Sequence, residues 1–416
     1  MSFYKNFCWR LFVPLLALAS LALCLACGSN NYYGYASPSA TSGFKHRVYL
    51  TNAYAGTIII LNADNDEVYG RNITTAAGAE VLAESHDGSF TLAYSNGVDE
   101  LFTIDNKIED ISTTASTIAL PGNIESLVVL SGNTEAVTAS RNAPVNGQPN
   151  GAVFTIDLTD SVIKTTIPVP LARRVVSNHA GTVVLAFADN TNTAYVINTT
   201  TDTATPIADP TGLLDHPVTA VFSSDDSKAY ILSCGAECGG TQASVTMFNP
   251  STSALGNSVA VAGATAGILD SSGKLWVAGS PGGSGMLQSV DTAALASGSV
   301  TPTTAVGIAD GYHEQMAFTD DNRLYIGSIN CTNLKDAQGN DIQGCLSVYN
   351  TSTQASVRAA PTGDVTGIVP ILGRHLAYVV QGGELVIYDT TKDAPRQPQS
   401  SQIDVVGQAY AILQIS

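Results

Sequence analysis

The 416-residue chain is 44% apolar, only 13% charged, and carries a formal net charge of −17. Such a chain can bury a large core, and its wealth of small polar residues and glycine suits strands and turns better than helices. Its acidity argues against a nucleic-acid or anionic-headgroup partner, because a surface of that sign repels phosphates.

Residues 1–27 read as an export leader. Lys5 and Arg10 supply a positive start, and Leu11 to Leu25 is an uncharged apolar run with one proline. The run is too short to span a bilayer comfortably, and small residues end it. Leu25-Ala26-Cys27-Gly28 resembles the lipobox of bacterial lipoproteins, with Cys27 as the lipidated residue. Cys24 stands where that family prefers Leu, and ordinary signal cleavage near Ala26 is the alternative. Gly28, rather than Asp, resembles lipoproteins sent to the outer membrane. Loss of Lys5 and Arg10 would leave 16 of the 18 basic residues against 35 acids, a charge of −19. Residues 28–45 are rich in Ser, Asn, Tyr and Gly, have no apolar periodicity, and read as a flexible tether. The expected location is therefore the bacterial cell envelope, with the membrane as a partner through the anchor.

From residue 46 to 416 a unit of about 45 residues recurs, the mark of a propeller or solenoid. Each unit has an apolar strand, an Asp/Ser/Gly/Asn turn, a second strand often holding an aromatic residue, a third ending in Asp or Asn, and a Thr-rich fourth. The turn appears as Glu84-Ser85-His86-Asp87-Gly88 and returns as Ser223-Ser224-Asp225-Asp226-Ser227 and Thr319-Asp320-Asp321-Asn322. Third strands read Leu101 to Asp105, Val153 to Asp157, Ala194 to Asn198 and Leu346 to Asn350. Four strands of this length match one propeller blade, which needs neighbours on both faces. Seven complete units lie between residues 76 and 402. The three strands of 46–75 and the single strand Ala409 to Ile415 would share an eighth blade, closing the ring with both chain ends. An all-β, eight-bladed propeller is the expectation. Seven blades is the alternative, should the polar fourth strand of 362–402 fail to form.

The first unit carries a family resemblance. Tyr49-Leu50-Thr51-Asn52 stands where the YVTN β-propeller family has its Tyr-Val-Thr-Asn, and Thr57 to Asn62 where it has a Thr-Val-x-Val-Ile-Asp strand. The match weakens in later units. The resemblance implies the propeller fold and says little of function: the family includes exported proteins of unknown role and shades into lactonase-like and quinoprotein-like enzymes.

Outside the leader four cysteines remain, and an even number in an exported chain favours disulfides. Cys234 with Cys238 and Cys331 with Cys345 are the expected pairs, each inside a Gly-rich loop. A four-thiolate metal site is the alternative, although the spacing lacks the two-residue interval of zinc knuckles. Both pairs lie in long loops between second and third strands, with Asn142 to Asn150 and Ser280 to Gly285 as the other long ones. Long, stapled loops on one face suit a binding surface for a protein or small molecule.

No compact catalytic motif is present, and without Cys-x-x-Cys-His a covalent haem is excluded. Asp336-Ala337-Gln338-Gly339-Asn340-Asp341 carries oxygen side chains that could hold calcium or merely form a solvated turn. The starts of the innermost strands would ring the channel mouth on the long-loop face. Glu80, Glu125, Arg173, Arg174, His216, His313, Glu314, Asp364 and Gln408 fall there. Such groups could hold a divalent metal or an anionic small molecule. Three functions follow: a non-enzymatic binding or scaffold propeller, a lactonase-like metal hydrolase at the channel, or a subunit of an envelope redox or assembly complex.

Overall fold

The computed structural model describes residues 41–392, 394–395, 402–403 and 405–416. The leader, most of the tether and Cys27 lie outside these residues. Eight sheets of four strands form a closed ring, so the eight-bladed expectation holds and the seven-bladed alternative falls. The innermost strands of blades 2 to 8 are Ala79–Glu84, Leu127–Val129, Ala172–Ser177, Pro217–Phe222, Ala266–Leu269, Tyr312–Phe318 and Val365–Ile371. Blade 1 takes its innermost strand from the end of the chain. Ala409–Ile415 pairs antiparallel with Arg47–Asn52, and Thr57–Asn62 lies outside that. The fourth strand of blade 8 does form, as two short pieces, Ala394–Pro395 and Gln402–Ile403, on Glu384–Asp389.

The apolar runs follow from burial on both faces. Successive residues of a strand point to opposite sides of its sheet, and here each side meets another blade. In the second strand of blade 1, Val48 and Leu50 pack against blade 8, whereas Tyr49 packs against blade 2. In blade 2, Leu92 and Tyr94 face blade 3 while Ala93 faces blade 1. The described residues form eight apolar clusters, one for each junction between neighbouring blades. A fully buried aliphatic side chain at such a junction contributes about 2 kcal/mol, so the junctions hold the ring together.

The Asp or Asn that ends each third strand is a turn device. Its side-chain oxygen accepts the backbone N–H two residues on, as at Asp105 with Lys107, Asp157 with Thr159, Asn198 with Thr200 and Asn350 with Ser352. Four residues after it the backbone turns left-handed, at Glu109, Ser161, Asp202 and Gln354. In blade 6 the same device at Asp291 caps the short helix Thr292–Ser297 instead of turning directly into the fourth strand.

A second recurrent device fixes the upper face. In four blades a polar residue at or next to the end of the second strand bonds a carbonyl in the crossover from the previous blade. Ser95 donates to Ala76, Ser328 to Asp310, Gln381 to Pro361 and Asn52 to Val406. Ion pairs tie the closing blade to both neighbours: Arg374 with Asp66 at 2.6 Å toward blade 8, and Arg47 with Glu109 at 3.1 Å toward blade 2.

Candidate functional site

The inner strands converge on a cavity of about 490 Å³ at the channel mouth, on the face that carries the long loops. Its wall includes Glu80, Glu125, Arg173, Arg174 and Glu314. Consecutive residues Glu80-Val81, Arg173-Arg174 and Glu314-Gln315 all line it, which an unbroken strand forbids. β-Bulges resolve this. In blade 2 the ladder pairs Ala79 with Ser95 and Val81 with Tyr94, leaving Glu80 as the extra residue. The same step leaves out Arg173 in blade 4, Val218 in blade 5, Glu314 in blade 7 and Thr366 in blade 8. In blade 1 Tyr410 and Ala411 share one partner, Thr51, whose hydroxyl accepts the Ala411 N–H at 2.8 Å. A bulge bends the strand and re-aims a side chain. Here it turns a polar residue of several blades toward one point.

Most of the charges there are spent on each other. Arg173 bonds Glu125 and reaches Glu314 at 3.3 Å, and Arg174 reaches Glu314 at 2.9 Å. Arg141, from the upper loop of blade 3, pairs with Glu125 and with Asp189 at 3.3 Å. Arg173 also donates to the Tyr312 hydroxyl at 3.3 Å, and its guanidinium carbon stands 4.8 Å from that ring's centre. The wall also carries the uncharged Asn96, Asn123, Thr366 and Tyr410. Burial raises the Glu80 carboxyl above its usual range, partly offset by a bond from Asn96. Burial, with Glu80, Glu314 and Asp364 nearby, pushes the Tyr410 phenol up to about 12.

Five of the nine expected mouth residues therefore meet, and His216, His313, Asp364 and Gln408 do not. His313 is 1% exposed and falls on the buried side of its strand, with Nε2 3.0 Å from the Ala309 carbonyl oxygen. Desolvation holds it down to about 4, hence neutral. His216 starts its strand in a left-handed conformation and contacts Asp215 at 2.9 Å through Nδ1, away from the cavity wall. Asp364 accepts the Asn330 N–H at 2.7 Å, and Gln408 lines a separate groove beside Tyr54. Arg141, Asn96, Asn123, Gln315, Thr366 and Tyr410 join the wall without having been expected. Arg141 immediately precedes the long loop Asn142 to Asn150, which was the available signal for it.

The loops behave as expected of a stapled rim. Disulfides join Cys234 to Cys238 and Cys331 to Cys345, so the four-thiolate site is excluded. Asp215 accepts the Thr241 and Gln242 N–H groups, holding the first stapled loop. Arg358 donates to the carbonyls of Gly344 and Thr332, holding the second. Leu334–Lys335 and Asp341–Gln343 form a hairpin inside the second loop. Asp336 there accepts the Gln338 and Asn340 N–H groups, and Asp341 pairs with Lys335 at 2.8 Å. These oxygens serve the turn, as the solvated-turn reading has it, rather than converging on a cation.

The residues do not fit a divalent metal either. Among the described residues no three His, Cys, Asp or Glu side chains stand together as a ligand set. Glu125 and Glu314 face guanidinium groups, and His313 is turned away.

No family model matches the chain, and no curated protein matches it by sequence. Solved structures do resemble it. Dihydro-heme d1 dehydrogenase NirN, in complex with DHE, is 13% identical with a TM-score of 0.64, over 89% of this chain and 75% of that one. Sqt1 of Saccharomyces cerevisiae is 9% identical with a TM-score of 0.56, over 84% and 86%. Hydrazine synthase of Kuenenia stuttgartiensis is 12% identical with a TM-score of 0.53, over 76% and 96%. At these identities the likeness is one of fold.

Proposed function

We propose that this chain is an exported, lipid-anchored binding propeller of the bacterial cell envelope, which takes a small polar ligand at its channel mouth. The observation that carries the binding part is the repeated bulge, which directs polar residues of several blades into one cavity rimmed by stapled loops. Fixed polar groups converging in a concave site are what small-ligand recognition requires. Catalysis draws no comparable support: the mouth carboxylates and guanidinium groups neutralise one another instead of activating a nucleophile. The anchor rests on the Leu25-Ala26-Cys27-Gly28 sequence, and export is supported by two disulfides, which persist in oxidising compartments. The repeat pattern around Tyr49-Leu50-Thr51-Asn52 aligns this reading with exported propellers of the YVTN type.

Two measurements test it. In cells fed labelled palmitate, the wild-type protein should carry label and sediment with membranes, and Cys27→Ser should lose the label and stay soluble. An unlabelled wild-type protein would remove the anchor. Equilibrium dialysis of the purified protein against a small-molecule extract of the envelope should retain a species that Glu314→Lys releases. Equal retention by that variant would place binding elsewhere.

A further inference from the structure

The charges of the mouth are unevenly paired, and the carboxylate left over points to a ligand class. Arg141, Arg173 and Arg174 face Glu125, Glu314 and Asp189, and each guanidinium lies beside at least one of these carboxylates. Glu80 is the fourth carboxylate of the set. Its polar neighbour is Asn96, and among the described residues no Lys, Arg or His pairs with it. The wall itself holds three arginines and three carboxylates, but the arginines also engage Asp189 beside it, so the Glu80 charge is left unmatched. A half-buried carboxylate without a cation carries an uncompensated desolvation cost. Glu80 is held there by its bulge rather than by a partner.

On this binding reading, we propose that the channel mouth takes an organic cation, an amine- or guanidine-bearing small molecule, whose charge sits between the Glu80 carboxylate and Tyr410. A carboxylate beside an aromatic ring is the pairing that recognises ammonium and guanidinium groups. Asn96, Asn123 and Thr366 offer hydrogen bonds to the remainder of the ligand. An anion would have to displace carboxylates from arginines that already hold them. A divalent metal ion would find one carboxylate where it needs several oxygen ligands. An organic cation thus stands in place of the metal or anionic small molecule expected from the acids, imidazoles and guanidinium groups of the mouth.

Isothermal titration calorimetry on the full-length protein in detergent tests this with four probes: cadaverine, agmatine, succinate and trehalose. Cadaverine or agmatine should bind with one site per chain, and succinate should not. Glu80→Gln keeps the shape and removes the charge, and should weaken cation binding at least tenfold while melting no lower than wild type. Lys274→Gln, exposed and outside the mouth, should leave it within about twofold. Binding in mildly acidic buffer should also release protons, seen as a heat that changes with the buffer's ionisation enthalpy, because the bound cation favours ionised Glu80. Cation affinity unchanged in Glu80→Gln, or no cation binding at all, would overturn the inference. Binding of succinate or trehalose, lost in Glu314→Lys, would overturn it too while leaving the mouth as a binding site.

Discussion

His313 shows how one buried side chain sets a pH dependence. It is buried, and its Nδ1 has no hydrogen-bond partner among the described residues. Its pKa falls from the ordinary 6.5 to about 4 because burial disfavours the charged ring, and the Ala309 carbonyl offsets this only in part. The folded state therefore binds fewer protons than the unfolded state between those two values, so stability rises with pH across that window. Above pH 6.5 there is no penalty. Below it the penalty grows, reaching about 3 kcal/mol near pH 4. His313→Gln should flatten the stability profile between pH 4 and 6.5 relative to wild type, measured by urea denaturation at each pH. Parallel profiles for the two proteins would mean that the ring stays neutral in both states or is hydrated when folded.

At the scale of the element, turns and bulges divide what can be read from sequence. The Asp or Asn ending each third strand is visible because turn chemistry needs that residue type there. Asp157 accepts the Thr159 N–H at 2.8 Å and the Asp160 N–H at 3.0 Å, and no other residue class reaches both so closely. Asp157→Ala should cost about 1 kcal/mol, the usual worth of such a bond, and Asp157→Asn should recover most of it in chemical denaturation. A loss equal in both variants would shift the credit from the hydrogen bonds to charge. Blade number was legible for a related reason: with both faces buried, strands appear as short apolar runs between such turns. The bulges were not legible. An extra residue leaves composition unchanged and only breaks the period of two, so His313, adjacent to Glu314, counts as equally well placed at the mouth. The ladder pairs His313 with Ser328 and skips Glu314, and that one step separates a buried imidazole from a cavity carboxylate. Tyr410 was hidden differently. It reaches the mouth only because the last strand returns to blade 1, and its place in the site depends on the topology of the whole ring.

For the whole molecule, that return is what closes the structure. Every blade meets two neighbours, so no sheet edge is left inside the ring, and Ala409–Ile415 supplies the innermost strand that blade 1 lacks. Ile415 packs in the junction between blades 1 and 2 and Ala409 in that between blades 1 and 8. Ser416 adds a further link, its N–H donating to the Glu84 carboxylate at 2.9 Å. A chain ending at Gln408 would expose Arg47–Asn52 as an unpaired edge and open two junctions at once, turning a ring into a row of blades with free ends. Such a row unfolds from its ends. The truncated protein should therefore show a broad urea transition with a reduced slope in place of one steep step, and should associate through its new edge. A synthetic peptide spanning residues 405–416 should restore the steep transition and suppress association, because the empty inner position selects that strand. A truncated chain that kept the wild-type slope and midpoint without peptide would show that seven complete blades hold the ring by themselves, and that the terminal strand serves the mouth through Tyr410 rather than the fold.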